Sequence, residues 1–102
     1  MKMTWKEMVE RRQQANQQIV EIIKDDPFIK KNLDFLKRMI VQYPEQRFGQ
    51  IICNYICPTY RAENPDAEEL ACMTRLFPGN PDPFYEESVE TLINMGGGIY
   101  AD

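Results

Sequence analysis

The chain has 102 residues and a mass of 12.0 kDa, the size of one domain, so residues 1–102 are read as a single unit. Hydrophobic residues make up 43% and charged residues 27%, a globular composition rather than a disordered one. The formal charge of −4 argues against a whole-chain polyanion binder, and the absence of histidine removes Ser–His and Cys–His nucleophile pairs and the usual zinc and non-haem iron sites.

Thr4 followed by Glu7 has the spacing of a capping box, with Thr4 as N-cap and Glu7 reaching back from the third helical position. A long polar helix over residues 1–25 follows, with Trp5, Met8, Val9, Ile19, Ile22 and Ile23 at helical spacing. Between Arg11 and Gln18 the run is almost wholly polar, so the core-facing stripe is interrupted there. Asp26-Pro27 reads as an N-cap with proline in the first turn, where its missing N–H costs nothing. Ile29, Leu33, Leu36, Ile40 and Tyr43 then form the cleanest amphipathic stripe, which Pro44 ends.

Phe48, Ile51, Ile52, Tyr55 and Ile56 share one side of a third segment that stops at Pro58. The run Ile51–Ile56 is short enough to be a helix or a buried strand; helix is preferred because no second strand-like segment offers a partner. A loop over 58–64 leads to Asn64-Pro65, a second cap-and-proline signal, opening a helix with Leu70, Met73, Leu76 and Phe77 inward. Pro78-Gly79-Asn80-Pro81 is a turn by composition. Asp82-Pro83 opens a last helix with Tyr85, Val89, Leu92 and Ile93 on one face. Three glycines end it and leave a flexible tail over 96–102 carrying Ile99 and Tyr100. The expected fold is an all-α compact bundle of about five helices.

No apolar run approaches the ~20 residues that cross a bilayer, and the first residues lack a signal-peptide core. A cytoplasmic protein with three free thiols is expected, with no membrane, metal or cofactor. Cys53 and Cys57 are read as buried packing residues.

Charge divides unevenly. Residues 1–40 hold nine bases and six acids, a net +3, while residues 41–102 hold three bases and ten acids, a net −7. Such asymmetry steers a partner or makes a molecule associate with itself. Arg47, Gln50 and Asn54 share a helical face, and the segment from Asp82 through Tyr85 to Glu86 and Glu87 supplies complementary acids. The expectation is an ion pair from Arg47 to Glu86 or Glu87 that docks two helices; the alternative is a small polar pocket for a ligand or a partner's side chain. Nothing in the cluster suggests catalysis, so no catalytic residue is assigned.

The stretch Tyr43-Pro44-Glu45-Gln46-Arg47-Phe48-Gly49-Gln50-Ile51-Ile52-Cys53-Asn54, followed by Asp82-Pro83-Phe84-Tyr85-Glu86-Glu87-Ser88, resembles a family of small proteins of bacteria and their phages. Those carry an Arg-x-Gly-Gln stretch with a following Asn, then an Asp-x-Phe-Tyr segment with acids. The resemblance leaves out the polar first helix and implies a phage or mobile-element origin without implying an activity. In the first helix, Arg11 and Arg12 among glutamines are residue types that read phosphates and base edges, but Glu7, Glu10 and Glu21 share the helix. A protein-binding or self-pairing surface using Trp5, Met8 and Val9 is therefore the first functional expectation. A nucleic-acid-binding accessory role through Arg11 and Arg12 is the second.

Overall fold

The computed structural model describes residues 2–68, 71–77 and 83–96, and within them the chain is an all-helical compact bundle with a long first helix. Thr4 starts helix α1 (Trp5–Ile23): its extended backbone places Oγ1 to accept from the Glu7 N–H at 3.1 Å. The Thr4 hydroxyl also donates to the Glu7 carboxylate at 3.0 Å, so Glu7 takes the side chain rather than the backbone N–H of the cap. Ala15, Asn16, Ile19, Val20 and Ile23 are buried, and the Arg12 side chain is only 11% exposed. The polar stretch therefore does not interrupt the inward face; Arg12 and Asn16 continue it. Ile22, expected on that face, is exposed.

Asp26 caps α2 (Pro27–Lys31) by accepting from the N–H groups of Phe28 and Ile29, as its sequence signal indicates. The amphipathic run through Tyr43 is not one helix. It breaks at Asn32, with φ −112° and ψ 20°, and resumes as α3 (Leu33–Gln42). The Asn32 amide donates to the Phe28 carbonyl at 2.9 Å, the kind of local side-chain bond that competes with helical pairing. The apolar stripe survives the break, with Ile29, Leu36 and Ile40 buried.

After the turn at 44–46, helix α4 runs through three consecutive segments: Phe48–Ile51, a π-helical turn over Ile52–Ile56, and Cys57–Glu63. Residues 51–56 are helical rather than a strand, and the helix passes Pro58 instead of stopping there. Proline has no N–H for the carbonyl four residues back, and its ring crowds that carbonyl. The wider turn, in which the Cys57 N–H bonds to the Ile52 carbonyl, immediately precedes the proline, which lies in the first turn of the next segment. The loop expected over 58–64 is therefore helix as far as Glu63.

Asn64-Pro65 closes this helix rather than opening the next. The Asn64 N–H and Nδ2 both donate to the Tyr60 carbonyl, and Ala67 N–H to the Asn64 carbonyl forms a turn. Helix α5 is Ala71–Leu76, with Cys72, Met73 and Leu76 buried; Leu70 and the Pro78–Pro81 turn lie outside the described residues. The last helix, α6, is Ser88–Asn94. It starts later than Asp82-Pro83 suggests: Asp82 is outside the described residues, Pro83 to Glu86 form a turn, and extended Glu87 is the N-cap. Its buried residues are Ser88, Thr91 and Leu92, whereas Tyr85, Val89 and Ile93 are exposed. Gly96, at φ +87°, follows the C-terminus in the left-handed region that suits glycine. Residues 97–102, with Ile99 and Tyr100, lie outside the described residues.

Phe48, Ile51, Ile52 and Ile56 put α4 at the centre of the core against Ile19, Leu36 and Ile40, and Phe48 meets Phe77 edge to face at 6.0 Å between centroids. Gly49 is there for closeness. A Cβ on it would lie 2.0 Å from the Pro83 carbonyl oxygen, so the α4 backbone and the 83–86 turn touch directly. Beside it the Phe48 N–H, an end group of the helix, donates to Ser88 Oγ at 3.0 Å. Gly49→Ala is therefore expected to destabilise the fold by about 2 kcal/mol or more, because backbone must move to admit the methyl group; urea denaturation followed by circular dichroism measures it.

Candidate functional site

The Arg47–Asn54 stretch and the segment 83–88 meet in space, at the contact just described at the start of α4. Arg47 is the N-cap of α4, and its backbone N–H donates to Gln50 Oε1 at 2.9 Å, so Gln50 acts as a reciprocal cap. Gly49 admits Pro83, and Ser88 accepts from Phe48. Asn54, expected on the same face, is exposed, and Tyr85 is 70% exposed. The conjunction therefore builds a helix-docking joint.

The expected ion pair exists with a different arginine. Arg12, from α1, donates through Nε and Nη2 to the two carboxylate oxygens of Glu87, the second at 3.0 Å, and through Nη1 to the Glu45 carbonyl at 2.8 Å. Glu86 instead accepts from Thr91 Oγ1 and Asn94 Nδ2, both at 2.7 Å. Arg47 Nε is buried without a hydrogen-bond partner, as are Asn16 Oδ1 and Gln46 Oε1. Arg47 stands out in sequence because it sits among isoleucines, but the signal for the buried arginine is the one-turn spacing between Arg12 and Asn16 on the inward face of α1.

One turn beyond Arg12, Asn16 Nδ2 donates to the Gln46 carbonyl at 3.1 Å, so α1 grips two successive carbonyls of the α3–α4 connection. Gln46 Nε2 reaches the Tyr55 hydroxyl at 3.4 Å, and Tyr55 stacks on Tyr43 at 5.0 Å. Hydrogen bonding of the Tyr43 hydroxyl to Tyr55 raises the pKa of Tyr43 above the ordinary phenol value.

The remaining candidate residues define a surface. Trp5 is 64% exposed and its ring lies 5.8 Å from the Arg12 guanidinium carbon. Met3, Met8, Arg11, Val89 and Glu90, with the Arg12–Glu87 pair, line a groove of about 250 Å³ between the start of α1 and the start of α6. Ile93, one turn along from Val89, is 52% exposed. Arg11 is exposed, but Arg12 is committed to Glu87 and is not free to meet a phosphate.

Among the described residues no cluster of three or more His, Cys, Asp or Glu could hold a metal, and no helix is long and apolar enough to cross a membrane. The thiols separate. Cys53 is exposed, against expectation, while Cys57 and Cys72 are buried. The hydrogen bond to Cys72, with burial second, pushes the Cys57 thiol well above its usual range.

Against known proteins the chain matches no family model, no curated sequence and no solved structure.

A brief maleimide pulse on the native protein is expected to modify Cys53 alone, whereas denaturant exposes all three thiols; peptide mapping of the labelled sites reads the difference. Arg12→Lys keeps the charge but loses the two-pronged carboxylate bond and the Glu45 contact, so a loss of about 1–3 kcal/mol in unfolding free energy is expected. A double-mutant cycle with Glu87→Gln isolates the coupling.

Proposed function

We propose that this chain is a non-catalytic protein-binding module of the cytoplasm, of phage or mobile-element origin, whose binding surface joins the first two turns of α1 to the outer face of α6. The observation that carries this reading is an overhang. Trp5, Met8 and Val9 fall, by helical spacing, on the continuation of the face that Arg12, Asn16, Ile19 and Ile23 turn inward, yet no residue of α1 before Ala15 is buried. Trp5 is 64% exposed and Met8 and Val9 are only half-buried, so these first two turns are incompletely covered, and so short a stretch of helix without full cover is marginal in water. Here the reciprocal Thr4–Glu7 bonds hold that end helical locally.

A large aromatic and a methionine on a preformed helix, with Met3 just before its cap, are the residue types that protein interfaces enrich. The stretches 43–54 and 82–88, which resemble the small bacterial and phage proteins, support the proposed origin. The nucleic-acid reading keeps Arg11 but loses Arg12, which weighs against it.

Trp5→Glu is expected to abolish capture of a partner by the tagged protein while leaving the melting temperature unchanged, because the ring is largely in solvent. Affinity capture from a lysate of the encoding organism, run with and without nuclease, makes the comparison. A catch lost to nuclease and indifferent to Trp5→Glu sinks the proposal.

A further inference from the structure

We infer that the partner of this surface is a second copy of the same chain, paired about a twofold axis so that the α1 overhang of each copy lies on α6 of the other. The inference rests on the binding reading above and adds an occupant to it. Three observations lead there.

The first is chemical polarity across the surface. On the overhang, Trp5, Met8 and Val9 form the apolar strip, and helical spacing puts Lys6 along one side of it and Arg11 along the other, with Glu7 and Glu10 on the far side of the helix. On α6, the exposed apolar pair Val89 and Ile93 is accompanied by the exposed acid Glu90. One end of the surface is thus apolar with basic edges, and the other is apolar with an acidic edge.

The second is that these charges have no ion-pair partner among the described residues. Ion pairs among the described residues include Arg12 with Glu87, Lys24 with Glu21, Lys31 with Glu63 and Arg75 with Asp26. Lys6, Arg11 and Glu90 take part in none of them.

The third is continuity. Met3, Met8, Arg11, Val89 and Glu90 line one groove, so the basic-edged and acid-edged halves lie side by side on the same face. A face of this kind is self-complementary under a twofold rotation. The rotation lays the basic half of one copy on the acidic half of the other, twice, with the axis near the groove. Trp5 then packs on the partner's Val89 and Ile93, and Arg11 meets the partner's Glu90. A basic-edged helix alone would suit any acidic groove; the presence of the matching acidic, apolar surface on the same face selects the second copy.

The experiment is sedimentation velocity of the full chain from low micromolar to near-millimolar concentration, with the fluorescence of Trp5, the chain's single tryptophan, read in parallel. A reversible dimer is expected, with Trp5 emission shifting to the blue as the dimer forms. Arg11→Glu and Glu90→Arg each place like charges across both contacts and are expected to weaken the dimer about tenfold or more. Mixed in equal amounts the two variants regain opposite charges at both contacts, so a heterodimer of near wild-type affinity is expected. Circular dichroism of each variant verifies the fold.

A dimer indifferent to both substitutions, or a mixture that does not recover, overturns the arrangement. A chain that remains monomeric throughout overturns self-pairing altogether. A photo-crosslinking residue in place of Met8, used in a lysate of the encoding organism, then separates the two readings. A heterologous protein adduct leaves the binding surface standing without the self-pairing, and a monomer that gives no adduct brings down both.

Discussion

The guanidinium of Arg12 is where three parts of the chain are held in register. It joins α1 to the start of α6 through Glu87 and to the α3–α4 connection through the Glu45 carbonyl, and the Trp5 ring lies over it. A charge so little exposed is stable only with a carboxylate and further hydrogen bonds, and all three donor nitrogens are used. Asn16 repeats the grip one turn later on the next carbonyl. Apolar packing alone is tolerant of a helix sliding along its axis; two side chains bonded to successive carbonyls are not. The cost is visible in Asn16 Oδ1 and Gln46 Oε1, which are buried beside that contact without partners.

The joint between α4 and the 83–88 segment depends on that register. Glu87 is the N-cap residue of α6, so the arginine that binds it also sets where α6 begins relative to α1. Ser88, the next residue, accepts from Phe48, and Gly49 accommodates Pro83. The short polar motifs at 47–50 and 83–88 are therefore the two sides of one backbone contact, in which a small residue, a cap and a hydroxyl each meet a local requirement.

Much of this was legible from residue order. Thr4 and Asp26 act as caps, the stripe through Ile29, Leu36 and Ile40 is buried, and 51–56 is helical. The remaining features turn on tertiary contacts that local signals do not carry. Pro58 and Pro65 both look like punctuation, yet Pro58 sits in the first turn of a helical segment that follows a π turn, and Pro65 lies in the turn after Asn64. Arg12 and Asn16 look like a solvated stretch because their polarity hides their position on the inward face. Val89 and Ile93 look like core by spacing but are exposed, because α6 buries Ser88 and Thr91 instead, both of which bond across the joint or to Glu86. A hydrogen-bonded hydroxyl occupies the interior there, and the aliphatic side chains are left to the surface.

The π turn at Ile52–Ile56 has a consequence for how this helix reads its neighbours. Each residue in an α-helix advances about 100° around the axis, so one extra residue in a turn rotates everything after it by roughly that angle. That phase change accounts for Cys53 facing solvent while Cys57, four residues on, faces inward. It also divides one rod between two audiences. Before the turn, Phe48 and Ile51 address the interior shared with α1, α3 and α6; after it, Tyr60 meets Phe28 edge to face and Glu63 pairs with Lys31, both toward α2. The helix works as a cam: its two lobes are set at an angle by a single residue, and losing that residue would keep the shaft straight while turning one lobe away from its seat.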